Sequence, residues 1–303
     1  MKKIATIILF IICFSTQAGA CEICGCGTGN YYIGLLPKFS RAFIGTRYEF
    51  SRFHTSIKNE PSQYSNELFQ TVEIWGGLNV GKRWQLIAFL PFNTIQQTSD
   101  DGSYHSSGMG DVAAMANYKI FSNSSATTKK KLITQQLWLG MGIKLATGKF
   151  RIDSNDPALV ALANTQLGSG SNDVMMNALY NLTINRLGIS TSISYKINTT
   201  NAEQYYFGNK FSGSTIAYCP IKKQFFVITP HGGLMYEHTD GSKLAKQKIA
   251  DTGGYLLSTA AGIDINIKNV TIGCNAQLPV SQNFASAQTN TKIKGMVHIT
   301  FSL

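Results

Sequence analysis

The sequence predicts an all-β protein: a transmembrane, antiparallel, up-and-down β-barrel of about 12 strands, with a short N-terminal plug-like segment. Three observations predict it. Long segments alternate apolar and polar residues, the links between them are short and long by turns, and an export signal stands in front. The expected organisation is a signal peptide over 1–20, a cysteine-rich segment over 21–40 and a barrel over 41–303.

The export signal has its three usual parts. Lys2 and Lys3 give a positive start, and "IATIILFIICF" is an apolar run too short to cross a bilayer, which takes about 20 residues. Ala18 and Ala20 give the A-x-A form at which signal peptidase cuts, so cleavage is expected after Ala20. Later apolar runs such as "LIAFLPF" (86–92) fall well short of a spanning helix.

Composition favours strands over helices. Glycine is common (28), proline scarce (7), and phenylalanine (17) and tyrosine (13) are plentiful, while only 14% of residues are charged. The net charge of +11 is no pointer to nucleic acid, since no nucleic-acid motif accompanies it. On an exported chain, basic charge suits anionic lipid headgroups.

The segment "NVTIGCNAQLPV" places Val270, Ile272, Cys274, Ala276, Leu278 and Val280 on one face and Thr271, Gly273, Asn275 and Gln277 on the other. "RLGISTSISYKIN" and "GYLLSTAAGIDINIK" alternate in the same way. Successive side chains of a strand point to opposite faces, so each segment is a strand with one apolar and one polar face. Twelve are predicted, over 41–54, 66–79, 84–97, 109–121, 131–147, 171–183, 186–198, 205–219, 224–238, 253–267, 269–283 and 292–303. Most reach the roughly 9–11 residues that a tilted membrane-spanning strand needs.

The links sort by parity. Those after even-numbered strands are mostly tight, as in "VGKR" (80–83), "INR" (184–186) and "IKN" (267–269), with a longer one at 122–130. Those after odd-numbered strands are mostly longer: 55–65, 98–108, 148–170, 199–204, 239–252 and 284–291. Barrels of the Gram-negative outer membrane have short turns on the periplasmic side, longer loops outside and both termini inside. The last segment, "GMVHITFSL", alternates and ends on an apolar residue, the usual form of an outer-membrane assembly signal. Lipid and the barrel-assembly machinery are therefore the expected partners. Phe39, Phe43, Trp84, Phe121, Phe225, Phe226 and Phe301 cluster near the short-turn ends, as an interfacial girdle would.

Three motifs occur in order: "SGMGDVAAMANYKIF" (107–121), "LWLGMGIKLATGKF" (137–150) and "LGSGSNDVMMNALY" (167–180). In this the chain resembles the outer-membrane transporters named for the meta-cleavage pathway of phenol degradation, over about 107–283 and more faintly elsewhere. Ala146 stands where that family usually has proline. The cysteine-rich front departs from the general pattern and is similar to a subgroup of barrels from Bacteroidetes-like bacteria. The resemblance implies passive uptake of small molecules, aromatic or apolar ones included.

With the apolar face toward lipid, the polar face lines the lumen. It carries Arg47, Glu49, Glu73, Asp111, Asn117, Lys119, Lys144, Asp173, Asn177, Asn181, Lys196, His231, Glu237 and Asp264. The candidates for solute contact are Arg47, Glu49, Glu73, Asp111, Lys119, Lys144, Asp173, His231, Glu237 and Asp264. Both signs of charge are present, so the lining reads as a polar interior, filled by water or cross-linked by ion pairs. Asp111 and Asp173 each follow a glycine-rich stretch, where an alternative role is capping loops. In the long 148–170 link, "DPALVALAN" reads as one or two helical turns, either folded into the mouth or packed on itself. No enzyme is expected: the five histidines are scattered, and "PHGGL" (230–234), though similar to an oxyanion-loop motif, has no serine elbow with it. The function expected is passive passage of small molecules; a structural barrel with a blocked lumen and a metal-handling barrel are the alternatives.

The last alternative rests on "CEICGCG". Cys21, Cys24 and Cys26 form a C-x₂-C-x-C run. It reads as a thiolate site for Cu(I) or Zn²⁺, an acylation point at Cys21, a local disulfide, or a processed end. The first reading implies a periplasmic metal-handling partner. Serine at all three positions is then expected to abolish copper binding and leave the barrel folded. Equal copper binding by that variant counts against the thiolate site.

Overall fold

A computed structural model describes residues 41–57, 60–100, 102–126, 132–151 and 163–303. The expected signal peptide, the plug-like segment 21–40 and Cys21, Cys24 and Cys26 lie outside the described residues, as does most of "DPALVALAN".

The chain runs through β1 (Ala42–Ile57), β2 (Glu60–Val80), β3 (Trp84–Ser99), β4 (Gly102–Met109), β5 (Ala113–Ala126), β6 (Leu132–Lys144) and β7 (Asp173–Ile184). It continues through β8 (Leu187–Ile197), β9 (Tyr205–Tyr206), β10 (Lys210–Tyr218), β11 (Ile221–Lys222), β12 (Val227–Thr239), β13 (Lys243–Leu244), β14 (Gln247–Lys248), β15 (Gly254–Ile267), β16 (Val270–Phe284) and β17 (Thr289–Ser302). Twelve of these form the wall: β1, β2, β3, β5, β6, β7, β8, β10, β12, β15, β16 and β17. Each pairs with its neighbours in sequence, and β1 pairs with β17 from Phe43 opposite Ser302 to Thr55 opposite Thr289. This is the closed antiparallel barrel expected from the alternation. Closure gives both edges of every wall strand a partner, as a sheet surrounded by hydrocarbon requires.

β3 shows how sequence sets the two faces. Its outward positions are Trp84, Leu86, Ala88, Leu90 and Phe92, then Thr94, Gln96 and Thr98. The apolar part spans nine residues, the length a tilted spanning strand needs. Elsewhere Ile74, Met141, Ile193, Leu234, Val280 and Val297 stand similarly exposed on the outer face. Such a belt has no place against water and matches a hydrocarbon band.

Three expectations are corrected. The links at 55–65 and 98–108 are largely strand: β1 runs to Ile57, β2 starts at Glu60, and β4 pairs with β3 from Met109 opposite Phe92 to Gly102 opposite Ser99. Outward polar residues carry these ribbons into water, so apolar alternation ends before the ladder does. Phe43 is no girdle residue; it is 2% exposed and faces the lumen. Trp84, Phe225, Phe226 and Phe301 are exposed near the turn end, and Trp84 packs on Tyr118 with ring centroids 4.8 Å apart. Finally, the lumen is not uniformly polar. One cluster of Phe43, Trp75, Ile87, Phe89, Met115 and Met175, with Ala113, fills its turn-end half. Another, of Phe53, Phe69, Ile95, Leu167, Leu256 and Phe284, fills the loop-end half.

Glycine makes one internal link. Asn177 on β7 donates from Nδ2 to Asn117 Oδ1 on β5 at 3.1 Å, reaching across β6 at Gly140. A Cβ at Gly140 would overlap the carboxamide oxygens of both. Gly140→Val is therefore expected to destabilise the barrel by about 1–3 kcal/mol. The check is a lower temperature for loss of the compact band on an unheated gel.

Candidate functional site: the barrel lumen

Most of the charges inside the lumen form three local groups. The first is at the loop end, where β5, β6 and β7 begin or finish. Lys144 Nζ lies 2.7 Å from Asp111 Oδ2 and 2.8 Å from Asp173 Oδ2, and all three side chains are almost fully buried. Lys144 also donates to the Ser171 carbonyl at 3.1 Å and to the Ser169 hydroxyl. Asp111 accepts the amides of Gly148 at 3.0 Å and Ser169 at 2.8 Å, and Asp173 accepts that of Thr199 at 3.0 Å. The two aspartates thus cap loops and neutralise one lysine together. A buried charge is tolerated when it is paired and hydrogen-bonded in this way.

The second group joins β1 and β2. Arg47 Nε lies 2.6 Å from Glu73 and 3.2 Å from Glu49. Its guanidinium also sits 5.5 Å from the Trp75 ring centroid and 5.3 Å from that of Phe89, so aromatic faces cover what the carboxylates leave. The third group joins β10, β12 and β17: Glu237 takes Lys294 at 2.9 Å and Lys210 at 3.1 Å.

Of the remaining candidates, Lys119 lies 4.6 Å over the Trp138 ring. Asp264 sits between two imidazoles, with His298 Nε2 at 3.1 Å and His231 Nδ1 at 3.6 Å. The structure thus places Asp111, Lys144 and Asp173 together, and likewise Arg47, Glu49 and Glu73. It does not bring all ten candidates to one point. Among the described residues no group of three His, Cys, Asp or Glu is arranged to hold a metal ion.

Sequence reading missed Lys210, Lys294 and Glu67 as lumen charges. Glu67 is buried at the loop end and accepts from Thr55 at 3.4 Å and from Ser65. Each keeps the parity of its strand's inward face, and that signal was available.

The outer loops form a cap. Leu167 inserts into the upper apolar cluster, and its carbonyl accepts Asn93 Nδ2 at 2.8 Å. Ser169, two residues on, is the one tied to Asp111 and Lys144, and its carbonyl accepts Asn201 at 3.0 Å. Beside it, β9, β13 and β14 form a three-stranded sheet over Ala163, Tyr205 and Phe207, against which Phe150, Leu244 and Ile249 pack. Burial, with Asp240 and other charges adding, pushes the Tyr206 phenol above its usual range. The described part of the 148–170 link therefore folds into the mouth.

A cavity of about 100 Å³ remains in the lumen against β7, β8, β10 and β12. Its position follows from side-chain size. β1, β2 and β3 turn Phe43, Phe53, Phe69, Trp75 and Phe89 inward. β8 and β10 turn in Ser190, Ser192, Ser194, Ser212 and Ser214 instead, with Ser192 and Ser214 hydrogen-bonded at 2.7 Å.

No sequence pattern of a known protein family matches the chain, and no curated protein matches it. Solved structures do match. An outer membrane channel from Pseudomonas putida F1 aligns with a TM-score of 0.61 at 11% identity, over 86% of this chain and 95% of that one. The beta domain of the Bordetella autotransporter Brka aligns with a TM-score of 0.51 at 11% identity, over 87% and 100%. The transport unit of the autotransporter AIDA-I from Escherichia coli gives 0.51 at 8% identity, over 91% and 95%. Similarity at this level shows that the fold is that of outer-membrane β-barrels.

Lys144→Met tests the loop-end group. It leaves Asp111 and Asp173 buried without their shared cation, which is expected to lower stability by about 3–5 kcal/mol. It also loosens the loop around Ser169, so protease should cut between 149 and 168 faster than in the parent protein while the wall strands stay protected.

Proposed function

We propose that this protein is a channel of the Gram-negative outer membrane, through which small molecules pass passively, with its outer mouth closed by the loop residues around Leu167 and Ser169. The observation that supports this best is the uneven lumen. One wall is packed with aromatic rings, while the serine wall of β8 and β10 leaves space beside it. A barrel that served only as a wall has no use for a row of serines where larger residues would pack. The closing loop is held by hydrogen bonds and one ion-pair group, not by a strand in the ladder. No described part of this loop belongs to the ladder of the wall, so it can move without breaking the barrel's own hydrogen bonds and is the element suited to open. The short basic turns, with Arg83 and Lys222, then face the periplasm.

A second reading, a barrel with a permanently blocked lumen, is favoured by the two apolar clusters and by the burial of Leu167 among them. Planar-bilayer recording separates the two. The parent protein is expected to show small, infrequent openings. Leu167→Ser, which removes the loop's apolar anchor, is expected to raise a small open fraction by at least about tenfold, since burying a leucine is worth about 1.5–3 kcal/mol. Silence from both proteins would establish the blocked barrel.

A further inference from the structure

The charges that line the lumen cavity are already matched. Glu237 takes Lys210 at 3.1 Å and Lys294 at 2.9 Å, and Glu49 takes Arg47 at 3.2 Å. Lys196 also has its partner, and Asp173 and Asp111 act on it as well. An ion entering here has to break one of these pairs, which is unfavourable at buried sites. The groups left wanting a partner are neutral. Asn117 donates from Nδ2 to Gln85 at 3.1 Å, and Asn177 donates to Asn117 at 3.1 Å, so this chain of carboxamides ends on the oxygen of Asn177. That oxygen is buried and accepts no hydrogen bond among the described residues, and the same holds for Gln277 Oε1 on β16. Both residues line the cavity, from strands on nearly opposite sides of the wall. A buried acceptor without a donor is unfavourable, and the terminal amide torsion of Gln277 is soft enough to turn its oxygen toward one.

Along the wall between these two acceptors lie hydroxyls. Ser194 stands opposite Ser212, and Ser192 is bonded to Ser214 at 2.7 Å. A serine hydroxyl donates or accepts as it rotates, so it suits another hydroxyl. The rest of the lining is apolar: Met115, Met175, Met235 and Leu179 are buried against the same space. A Cβ at Gly142 would come within 2.6 Å of Met115 and 3.1 Å of Met175, so the glycine makes room for both thioethers. Methionine is unbranched and polarizable, and it adapts to the carbon face of a ligand. Water satisfies the acceptors but gains nothing from this apolar side. A dry cavity of about 150 Å³ takes up benzene, and this one is about 100 Å³.

We propose that this cavity is a binding site for a small neutral polyol of the size of glycerol. Its hydroxyls donate to the carboxamide oxygens of Gln277 and Asn177 and exchange hydrogen bonds with the serines, and its C–H side lies against the methionines. The site deepens the channel reading and rests on it for the route by which the polyol arrives.

The test uses glycerol, with propan-1-ol, propionate and propylammonium as counterparts of similar size. Saturation-transfer NMR on the barrel in a deuterated amine-oxide detergent is expected to show saturable glycerol binding. Propan-1-ol, with one hydroxyl, is expected to bind at least about tenfold more weakly, the factor that one hydrogen bond unmade at a buried group supplies. Neither ion is expected to bind more tightly than propan-1-ol. Gln277→Met keeps the side chain's length and removes the acceptor; it should weaken glycerol about tenfold and leave propan-1-ol unchanged. Ser212→Val, a residue suited to a strand, removes a hydroxyl and fills space, and should abolish glycerol binding in a barrel that still runs compactly on an unheated gel. Absence of glycerol binding overturns the proposal, as does binding of propionate, propylammonium or propan-1-ol as tight as that of glycerol. Planar-bilayer recording tests the channel separately. Openings without glycerol binding overturn this site and leave the channel; glycerol binding with silence from the parent protein and from Leu167→Ser keeps the site and overturns the channel.

Discussion

The bond network around Lys144 governs the loop half of the molecule. One ammonium is shared by two aspartates on flanking strands, and the same aspartates hold the backbone of the loops above them. None of these three charges is affordable alone in a buried site, so they stand or fall together. Ser169 is tied into the group, which fixes where Leu167 enters the lumen, and Leu167 completes the upper apolar cluster. The cap formed by β9, β13 and β14 lies beside the same loop, through Ala163 and Phe150.

Below this group, side-chain volume decides the lumen's shape. A barrel of 12 strands is too wide for side chains of ordinary size to fill evenly. This chain fills it unevenly, with rings on β1 to β3 and hydroxyls on β8 and β10. Charges occur on both sides, yet Arg47 is covered by aromatic faces while the lysines of the other side line open space. Cations thus serve both walls, stacked on rings in one and paired with Glu237 in the other.

Much of this was legible in the sequence, and the limits have physical causes. Alternation with a lipid-facing apolar parity marks a strand even without neighbours, so the 12 wall strands were readable. The ribbons of β1 to β4 above the belt were not, because in water both faces are polar and the period carries no hydropathy signal. The inward parity was readable for Asp111, Lys144 and Asp173. Their meeting was not, since it depends on which strands lie side by side. The aromatic wall did leave a trace: "WQLIAFLPF" is apolar on both faces of β3, the mark of a strand packed on both sides. The small cap strands left none, being two residues each.

The pairing of β1 with β17 has a consequence for the order of assembly. Every other contact in the wall joins strands that are close in sequence and can form as the chain grows, hairpin by hairpin. The pairing of Phe43 with Ser302 joins the two ends of the described chain and carries by far the largest loop-closure entropy. Until it forms, β1 and β17 each present a bare row of backbone amides and carbonyls. In hydrocarbon such an edge is strongly unfavourable; in water it templates aggregation. The rate of reaching the native state is thus set by how long two distant edges stay shielded before they meet. A chain of this design depends on some surface that holds its open sheet until the last strand arrives.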